Sequence, residues 1–224
     1  MLTNTKIPKL FVGDSLQAIY EWRGTINTFD NLPYDSLIIE FYSTFRIGEP
    51  ACSEIRSKFE NCWMISNSKI ETIIEYENIP TNKYTYLFRS WKGLLLTAKI
   101  TNNIYIKNYD KKVKDIRNHH QYLRKNPDRK FSKDDLNDFE DDLPMFLIKL
   151  THEELDDLIL NIENNLVNEK EAICIMSTIH SYKGLEDDII RIYDDIKIES
   201  EENIYYVALT RGMRNIILDK KYEE

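Results

Sequence analysis

The 224-residue sequence has six glycines, no Gly-Lys pair and no long hydrophobic run. A Gly-Lys pair ends the P-loop, whose backbone amides wrap nucleotide phosphates, so its absence excludes a P-loop within this chain. The longest apolar runs, such as residues 93–96, are far shorter than a membrane span. With neither a membrane segment nor a secretion signal, we expect an intracellular protein, in the cytoplasm, the nucleus or a viral replication site.

Cysteine is also scarce, and its pattern limits the chemistry. The three residues Cys52, Cys62 and Cys174 have no metal-binding spacing, and their odd number predicts reduced, buried thiols. The chain does contain 42% hydrophobic and 30% charged residues. These fractions predict a soluble protein with a substantial core.

The charge is acidic overall but unevenly distributed. A net charge of −8 does not suggest a nucleic-acid binder. From Lys107 to Lys133, however, ten basic residues face three acidic ones, whereas from Asp134 to Glu163 eleven acidic residues face one lysine. The basic stretch could contact nucleic acid or could be a solvated helix face, and the sequence alone leaves both readings open.

Hydrophobic periodicity predicts an α/β fold interrupted by a helical region. Apolar and β-branched runs predict strands at 9–12, 36–41, 70–76, 84–88, 104–106, 172–176, 189–193 and around residue 216. Helical spacing predicts helices at 15–22, 50–63, 90–99, 110–123, 132–140, 152–167 and 200–211. The three helices between 108 and 168 follow one another without a strand, so we interpret this part as a helical insertion in an α/β domain.

Four segments concentrate polar and aromatic residues beside predicted strands. They are GDSLQAIYEWRG (13–24), FYSTFR (41–46), IMSTIHSYKGLEDDII (175–190) and NIYYVALTR (203–211). In this order they resemble the GDxxQxIYxFRG, NYR, TxHxxKGLE and YVAxTR motifs of superfamily 1 DNA helicases of the Rep/UvrD type. The run TFRIG (44–48) together with VALTR (207–211) is most similar to the F-box DNA helicase branch.

The resemblance implies a particular fold and domain organisation. Residues 1–34 would hold the terminal strand and motif of a first RecA-like lobe. Residues 35–107 and 169–224 would form the second RecA-like lobe, a P-loop NTPase-like domain with a parallel sheet, and residues 108–168 its helical insertion.

The resemblance also implies an ATP site. Gln17, Arg46 and Arg211 match the residues that orient or contact the γ-phosphate of ATP. Phe45 stands where the family has a tyrosine that stacks on adenine, Glu186 matches a ribose-binding glutamate, and Gly184 permits the turn beside it. Asp187 departs from the phenylalanine common at its position. Each of these residues could instead be an ordinary core, surface or ion-pair residue.

Single-stranded DNA contacts are implied at two places. Trp22 matches an aromatic residue that stacks on bases, and Arg23 can reach the backbone. Thr178 and His180 match DNA-contacting positions of the second lobe, although a lone histidine is often structural. The basic stretch from Lys107 to Lys133 corresponds to an insertion that can touch duplex DNA at a fork.

The resemblance is incomplete, because the family's Mg²⁺-binding Asp-Glu is missing together with the P-loop; no Asp-Glu dipeptide occurs in the sequence. The first reading is therefore the C-terminal part of an ATP-dependent 3′-to-5′ DNA helicase, as found in DNA repair, that is inactive alone. Its first lobe, with the Mg²⁺ ligands, would come from a polypeptide in trans or be lost by truncation. The alternatives are a non-catalytic nucleic-acid-binding or regulatory module and a fragment without a stable fold.

Overall fold

The computed structural model describes residues 9–20, 24–60, 62–125 and 143–219. Their centre is a six-stranded, all-parallel sheet in the order β3-β8-β7-β4-β6-β5, beside a separate parallel pair formed by β1 and β2. The strands are β1 Ser43–Thr44, β2 Ile65–Ser66, β3 Ile73–Tyr76, β4 Tyr84–Phe88, β5 Ile104–Ile106, β6 Cys174–Thr178, β7 Asp187–Ile192 and β8 Gly212–Leu218. The predicted α/β class with a parallel sheet is confirmed.

Seven α-helices in the described residues connect and cover these strands. They are α1 Ala51–Lys58, α2 Trp91–Ala98, α3 Tyr109–Lys125, α4 Leu143–Leu147, α5 His152–Asn165, α6 Ile179–Tyr182 and α7 Glu202–Leu209. Short 3₁₀ turns occur at Ser15–Gln17, Thr28–Asn31 and Ile198–Ser200. Each helix covers one face of the sheet, which gives the three-layer arrangement typical of parallel sheets.

Strand β4 explains why the sheet is covered on both faces. All five of its residues are buried. Tyr84, Tyr86 and Phe88 belong to one hydrophobic cluster and Leu87 to the other, because successive side chains of a strand point to opposite faces. A strand that is apolar on both sides needs a layer of helices on each.

The two clusters divide the helices. Helices α1, α6 and α7 pack on the face that carries Leu87, together with Ile190 and Ile216 of the neighbouring strands. Helices α2, α3, α4 and α5 pack on the face that carries Phe88. The helical region between β5 and β6 therefore shares its core with the sheet, and the predicted helix at 132–140 lies outside the described residues.

Two predicted strands are wrong. Residues 36–41 form no ladder, and Leu37, Ile39 and Phe41 are 87%, 67% and 90% exposed. Residues 9–12 are likewise unpaired, with Leu10 88% exposed. The composition of both segments favours a buried strand, but the described residues offer neither of them a neighbouring strand.

Two predicted helices are shorter than expected. The segment at 15–22 forms only the 3₁₀ turn at Ser15–Gln17. Helix α1 begins after Pro50, as predicted, but ends at Lys58, so Trp63 leaves the helical face and is exposed. Within the described ranges, no helix has the length and apolarity needed to cross a membrane.

Candidate nucleotide cleft

A cleft of about 800 Å³ lies between the segment that carries Gln17, the extended segment 38–44 and the end of α7. Gln17, Arg46 and Arg211 all line it, although they come from three separate sequence motifs. The other lining residues include apolar and aromatic ones, among them Phe29 and Trp63, and two carboxylates, Asp14 and Glu40. The cleft thus combines cationic and amide groups with flat apolar faces.

Gln17 is held by a neighbouring carboxylate. Asp14 caps the 3₁₀ turn, since its Oδ1 accepts a hydrogen bond from the backbone N–H of Leu16 at 3.0 Å. The other oxygen, Oδ2, accepts from Nε2 of Gln17 at 2.9 Å and from the hydroxyl of Tyr206 at 3.1 Å. Asp14 therefore connects the predicted γ-phosphate glutamine to α7.

The segment that carries Gln17 is fastened to α6 and α7 by side-chain hydrogen bonds. They run from Lys183 Nζ to Gln17 O (2.7 Å), from Asn203 Nδ2 to Ala18 O (3.0 Å) and from Tyr20 Oη to His180 O (3.0 Å), with His180 Nε2 at 3.2 Å from Ile19 O. These contacts hold residues 17–20, which the resemblance assigns to a first lobe, against α6 and α7, which it assigns to the second lobe.

Arg46 reaches the cleft from the loop after β1. Its Nε lies 2.7 Å from Oε2 of Glu186, and its Nη1 donates to the carbonyl of Thr210 at 3.3 Å. Both charged side chains are nearly half exposed, at 41% and 47%. Water screens such a pair, so an incoming anion can compete with Glu186 for the guanidinium.

Arg211 differs from Arg46 because it is buried, with 3% exposure. Its guanidinium donates to the carbonyls of Val207 (2.9 Å) and Leu185 (3.3 Å) and to Oγ1 of Thr210 (2.8 Å). Burial, followed by the nearby charge of Arg46, lowers the pKa of Arg211. The carboxylates of Glu186 and Asp14 act in the opposite direction, so acidic side chains already partly balance the two guanidiniums.

Three further residues were predicted from the resemblance to bind nucleotide. Glu186 lies beside the cleft through its ion pair with Arg46. Gly184 has a φ of +89°, in the region that favours glycine, which confirms its role in the turn. Phe45 is 77% exposed and does not line the cleft. Nucleotide contact by each remains a prediction.

The predicted DNA contacts lie elsewhere. Thr178 and His180 are buried, at 2% and 4% exposure. The hydroxyl of Thr178 caps α6 by accepting from the backbone N–H of Ser181 at 3.3 Å. DNA contact by either residue stays a prediction, and Trp22 and Arg23 lie outside the described residues.

Sequence reasoning missed Asp14 as a cleft residue. The available signal was its position, since an aspartate directly before a short helical turn is a typical cap. Its second bond, to Tyr206, joins residues 192 positions apart and has no local signature. Among the described residues, no group of three His, Cys, Asp or Glu side chains could hold a metal ion. The Mg²⁺ ligands were expected from a first lobe, and that expectation stays a prediction.

Comparison with known proteins adds no further identification. No protein-family model matches the chain, and no curated protein matches its sequence.

Proposed function

We propose that this chain acts as the second RecA-like lobe of a superfamily 1, UvrD/Rep-like DNA helicase. It would supply ATP-sensing side chains and single-stranded DNA contacts to 3′-to-5′ unwinding. The observation that carries the proposal is the convergence of Gln17, Arg46 and Arg211 on one cleft. Three short motifs read from the sequence, spread over nearly its whole length, meet at one place.

The side chains of the cleft suit the terminal phosphate of ATP. Phosphoryl transfer needs cations that neutralise charge on the γ-phosphate and a residue that orients the attacking water. Arg46 and Arg211 provide the cations, and a phosphate oxygen would take the place that the Glu186 carboxylate holds at the half-exposed Arg46. Gln17 provides the amide, which Asp14 holds at 2.9 Å.

The chain carries only part of the chemistry. It has neither a Gly-Lys pair nor an Asp-Glu dipeptide, so the phosphate cradle and the Mg²⁺ ligands would come from a first-lobe polypeptide in trans. ATP supplies the phosphoryl group when it is bound between the two lobes. We therefore expect weak ATP binding, with a dissociation constant on the order of 1 mM, and negligible hydrolysis by this chain alone.

The same absences favour a second candidate function, a non-catalytic nucleic-acid-binding or regulatory module derived from a helicase. The two functions differ in what the cleft does. In a helicase lobe, Arg46 would contact the γ-phosphate, so ATP would bind more tightly than ADP. A module that no longer uses nucleotide would bind ATP and ADP with the same affinity.

The test is a comparison of ATP and ADP binding by NMR chemical-shift perturbation. We expect ATP to bind about tenfold more tightly than ADP, because the γ-phosphate adds charge-assisted hydrogen bonds. Arg46→Ala should remove that difference. Arg117→Ala is the matched control, since it deletes another exposed, ion-paired arginine on α3, outside the cleft.

Equal affinities for ATP and ADP, or an Arg46→Ala variant that binds like the original protein, would contradict the helicase proposal. A separate measurement of DNA-stimulated ATP hydrolysis tests the need for a partner lobe. Robust turnover by the isolated chain, abolished by Arg211→Ala, would show that no first lobe is required.

A further inference from the structure

Strand β3 forms one edge of the six-stranded sheet. Among the strands that the structure describes, it pairs only with β8. Its first and last residues, Ile73 and Tyr76, are 41% and 38% exposed. An exposed edge strand presents backbone N–H and C=O groups to which a further strand can bond. We call the side of residues 72–77 that faces away from β8 the β3 edge.

The β3 edge already accepts one extended segment of this chain. The backbone N–H of Thr72 donates to the carbonyl of Glu49 at 3.2 Å, and its carbonyl accepts from the N–H of Ala51 at 3.0 Å. This parallel bridge ends where α1 begins, because Ala51 is the first residue of that helix. Strand pairing is therefore sterically possible on this side of the sheet.

Two further residues of β3 turn their backbone groups to the same side. Backbone groups alternate in direction along a strand. Thr72 bonds away from β8, whereas the N–H of Glu77 donates towards it, to the carbonyl of Leu218 at 2.8 Å. The N–H and C=O groups of Ile74 and Tyr76 therefore point outward, where none of the described strands lies to bond them.

The β3 edge is acidic on one face of the sheet and apolar on the other. Glu75 lies within β3, Glu71 and Glu77 flank the strand, and no lysine or arginine occurs from residue 70 to residue 82. Successive side chains point to opposite faces, so Ile74 lies on the other face from Glu75, where it packs against the hydrophobic core. An added strand would meet carboxylates on one face and apolar side chains on the other.

The same geometry disfavours a second copy of this chain as the added strand. An antiparallel pair of two β3 edges that joins Ile74 of one copy to Tyr76 of the other places the two Glu75 side chains directly opposite each other. Like charges in that position destabilise a strand pair. The neighbouring registers either oppose Glu75 to Glu77 or require the backbone of Thr72, which is already bonded. The carboxylates therefore select a partner of opposite charge.

We propose that the β3 edge binds an extended segment of a partner protein in which basic residues alternate with apolar ones. The backbone of that segment pairs with Ile74 and Tyr76, as in other cases of strand addition to an exposed sheet edge. Its basic side chains lie beside Glu75, and its apolar side chains lie on the face of Ile74. The interaction goes beyond the proposed function, since residues 71–77 do not line the candidate nucleotide cleft.

The backbone pairing is tested by fluorescence anisotropy of a labelled octapeptide of alternating valine and lysine added to the full chain. Tyr76→Pro removes one outward N–H and should weaken binding about tenfold. It should leave the pairing with β8 intact, because proline is tolerated on an edge strand where its nitrogen faces outward. Tyr76→Val is the matched control, which keeps the N–H and should bind the peptide normally. Thermal melting of both variants checks that the sheet remains folded.

The charge complementarity is tested with the same peptide. Glu71→Gln combined with Glu75→Gln should weaken binding about fivefold and make it less sensitive to salt. Glu153→Gln combined with Glu163→Gln is the matched control, because it removes the same charge from exposed positions of α5. That control should leave binding unchanged. A peptide of four lysines followed by four valines has the same composition without the alternation, and it should bind at least tenfold more weakly.

Amide hydrogen exchange locates the bound peptide. The amides of Ile74 and Tyr76 should exchange rapidly in the free chain and at least tenfold more slowly with saturating peptide, whereas the amide of Glu75 faces β8 and should change little. Slow exchange of Ile74 and Tyr76 in the free chain would show that the β3 edge is already paired, and would overturn the proposal.

The remaining outcomes also decide the question. No peptide binding, or normal binding by Tyr76→Pro, would overturn the strand addition. Equal losses in the α5 control, or equal affinity for the block peptide, would show that the acidic chain attracts any basic peptide, which would also overturn it. None of these results bears on the proposed function, which stands or falls on the discrimination between ATP and ADP by Arg46.

Discussion

At the scale of single residues, the two arginines of the cleft have different physical roles. Arg211 is buried, and its guanidinium donates to two backbone carbonyls and a hydroxyl. It therefore stabilises the fold as well as lining the cleft. Arg46 is half exposed and has one carboxylate partner, Glu186. Its side chain can exchange Glu186 for a bound anion. Substitution of Arg46 therefore tests ligand binding with less effect on the fold than substitution of Arg211.

This difference predicts unequal effects on stability. Arg211→Ala should lower the free energy of unfolding by about 2–4 kcal/mol, because it leaves a void and removes a buried side chain that makes three hydrogen bonds. Arg46→Ala should cost less than about 1 kcal/mol, as for other exposed ion pairs. Urea denaturation of the two variants measures both values. A similar decrease in the free energy of unfolding for both variants would show that Arg46 stabilises the fold as much as Arg211 does.

Residue identities at the cleft could be predicted where the signal is local. Gln17, Arg46 and Arg211 each lie in a short motif, and all three line the cleft. Tyr206 illustrates what is harder to read. Its bond to Asp14 joins two chain positions that only the folded structure brings together, and no spacing rule connects them.

At the scale of helices and strands, prediction succeeded where local sequence determines structure. Residues 84–88 were predicted as a strand and form β4, and 104–106 form β5. The segment 37–41 has a similar apolar pattern yet is exposed. An apolar pattern indicates that a segment is more stable when it is buried. The strands and helices that bury it, however, come from elsewhere in the sequence or from another polypeptide.

Helix α5 has a locally encoded start that allows a sharp test. The Oγ1 of Thr151 accepts from the backbone N–H of Glu154 at 3.1 Å, and Oε2 of Glu154 accepts from the N–H of Thr151 at 2.8 Å, a complete capping box. Thr151→Ala should lower the free energy of unfolding by about 1 kcal/mol. Ser57→Ala, which removes an exposed hydroxyl inside α1, should have little effect. Equal losses would show that the cap is not the cause.

The same capping box predicts a pH dependence. The backbone N–H of Thr151, followed by its side chain, lowers the pKa of the Glu154 carboxyl below its ordinary value of 4.5. A lowered pKa in the folded state means that this contribution to stability is present above pH 4.5 and is lost as the pH falls through the folded value. Carboxyl NMR titration measures the shift. Thr151→Ala keeps the backbone N–H, so the pKa should move only part of the way back towards 4.5. An unchanged pKa would show that the hydroxyl does not contribute.

At the scale of the whole molecule, exposed apolar side chains lie beside the candidate nucleotide cleft. Ile38, Ile39 and Phe41 line the cleft and are exposed, and Trp63, which also lines it, is 68% exposed. Contiguous apolar patches on a soluble protein usually mark an interaction site. A first lobe that closes over bound ATP would cover this patch.

The patch gives a prediction about association that does not depend on any nucleotide. The exposed patch should make the isolated chain self-associate. Ile39→Ser combined with Phe41→Ser should reduce that association in sedimentation experiments, because both side chains line the cleft and are exposed, at 67% and 90%. The melting temperature should not change, since these side chains bury little area. The matched control is Leu87→Ser combined with Phe88→Ser in β4, where both residues are fully buried and the fold should collapse. If the exposed pair also lowers the melting temperature, residues 37–41 are packed in solution. That result would remove the main reason to expect a partner lobe at this surface.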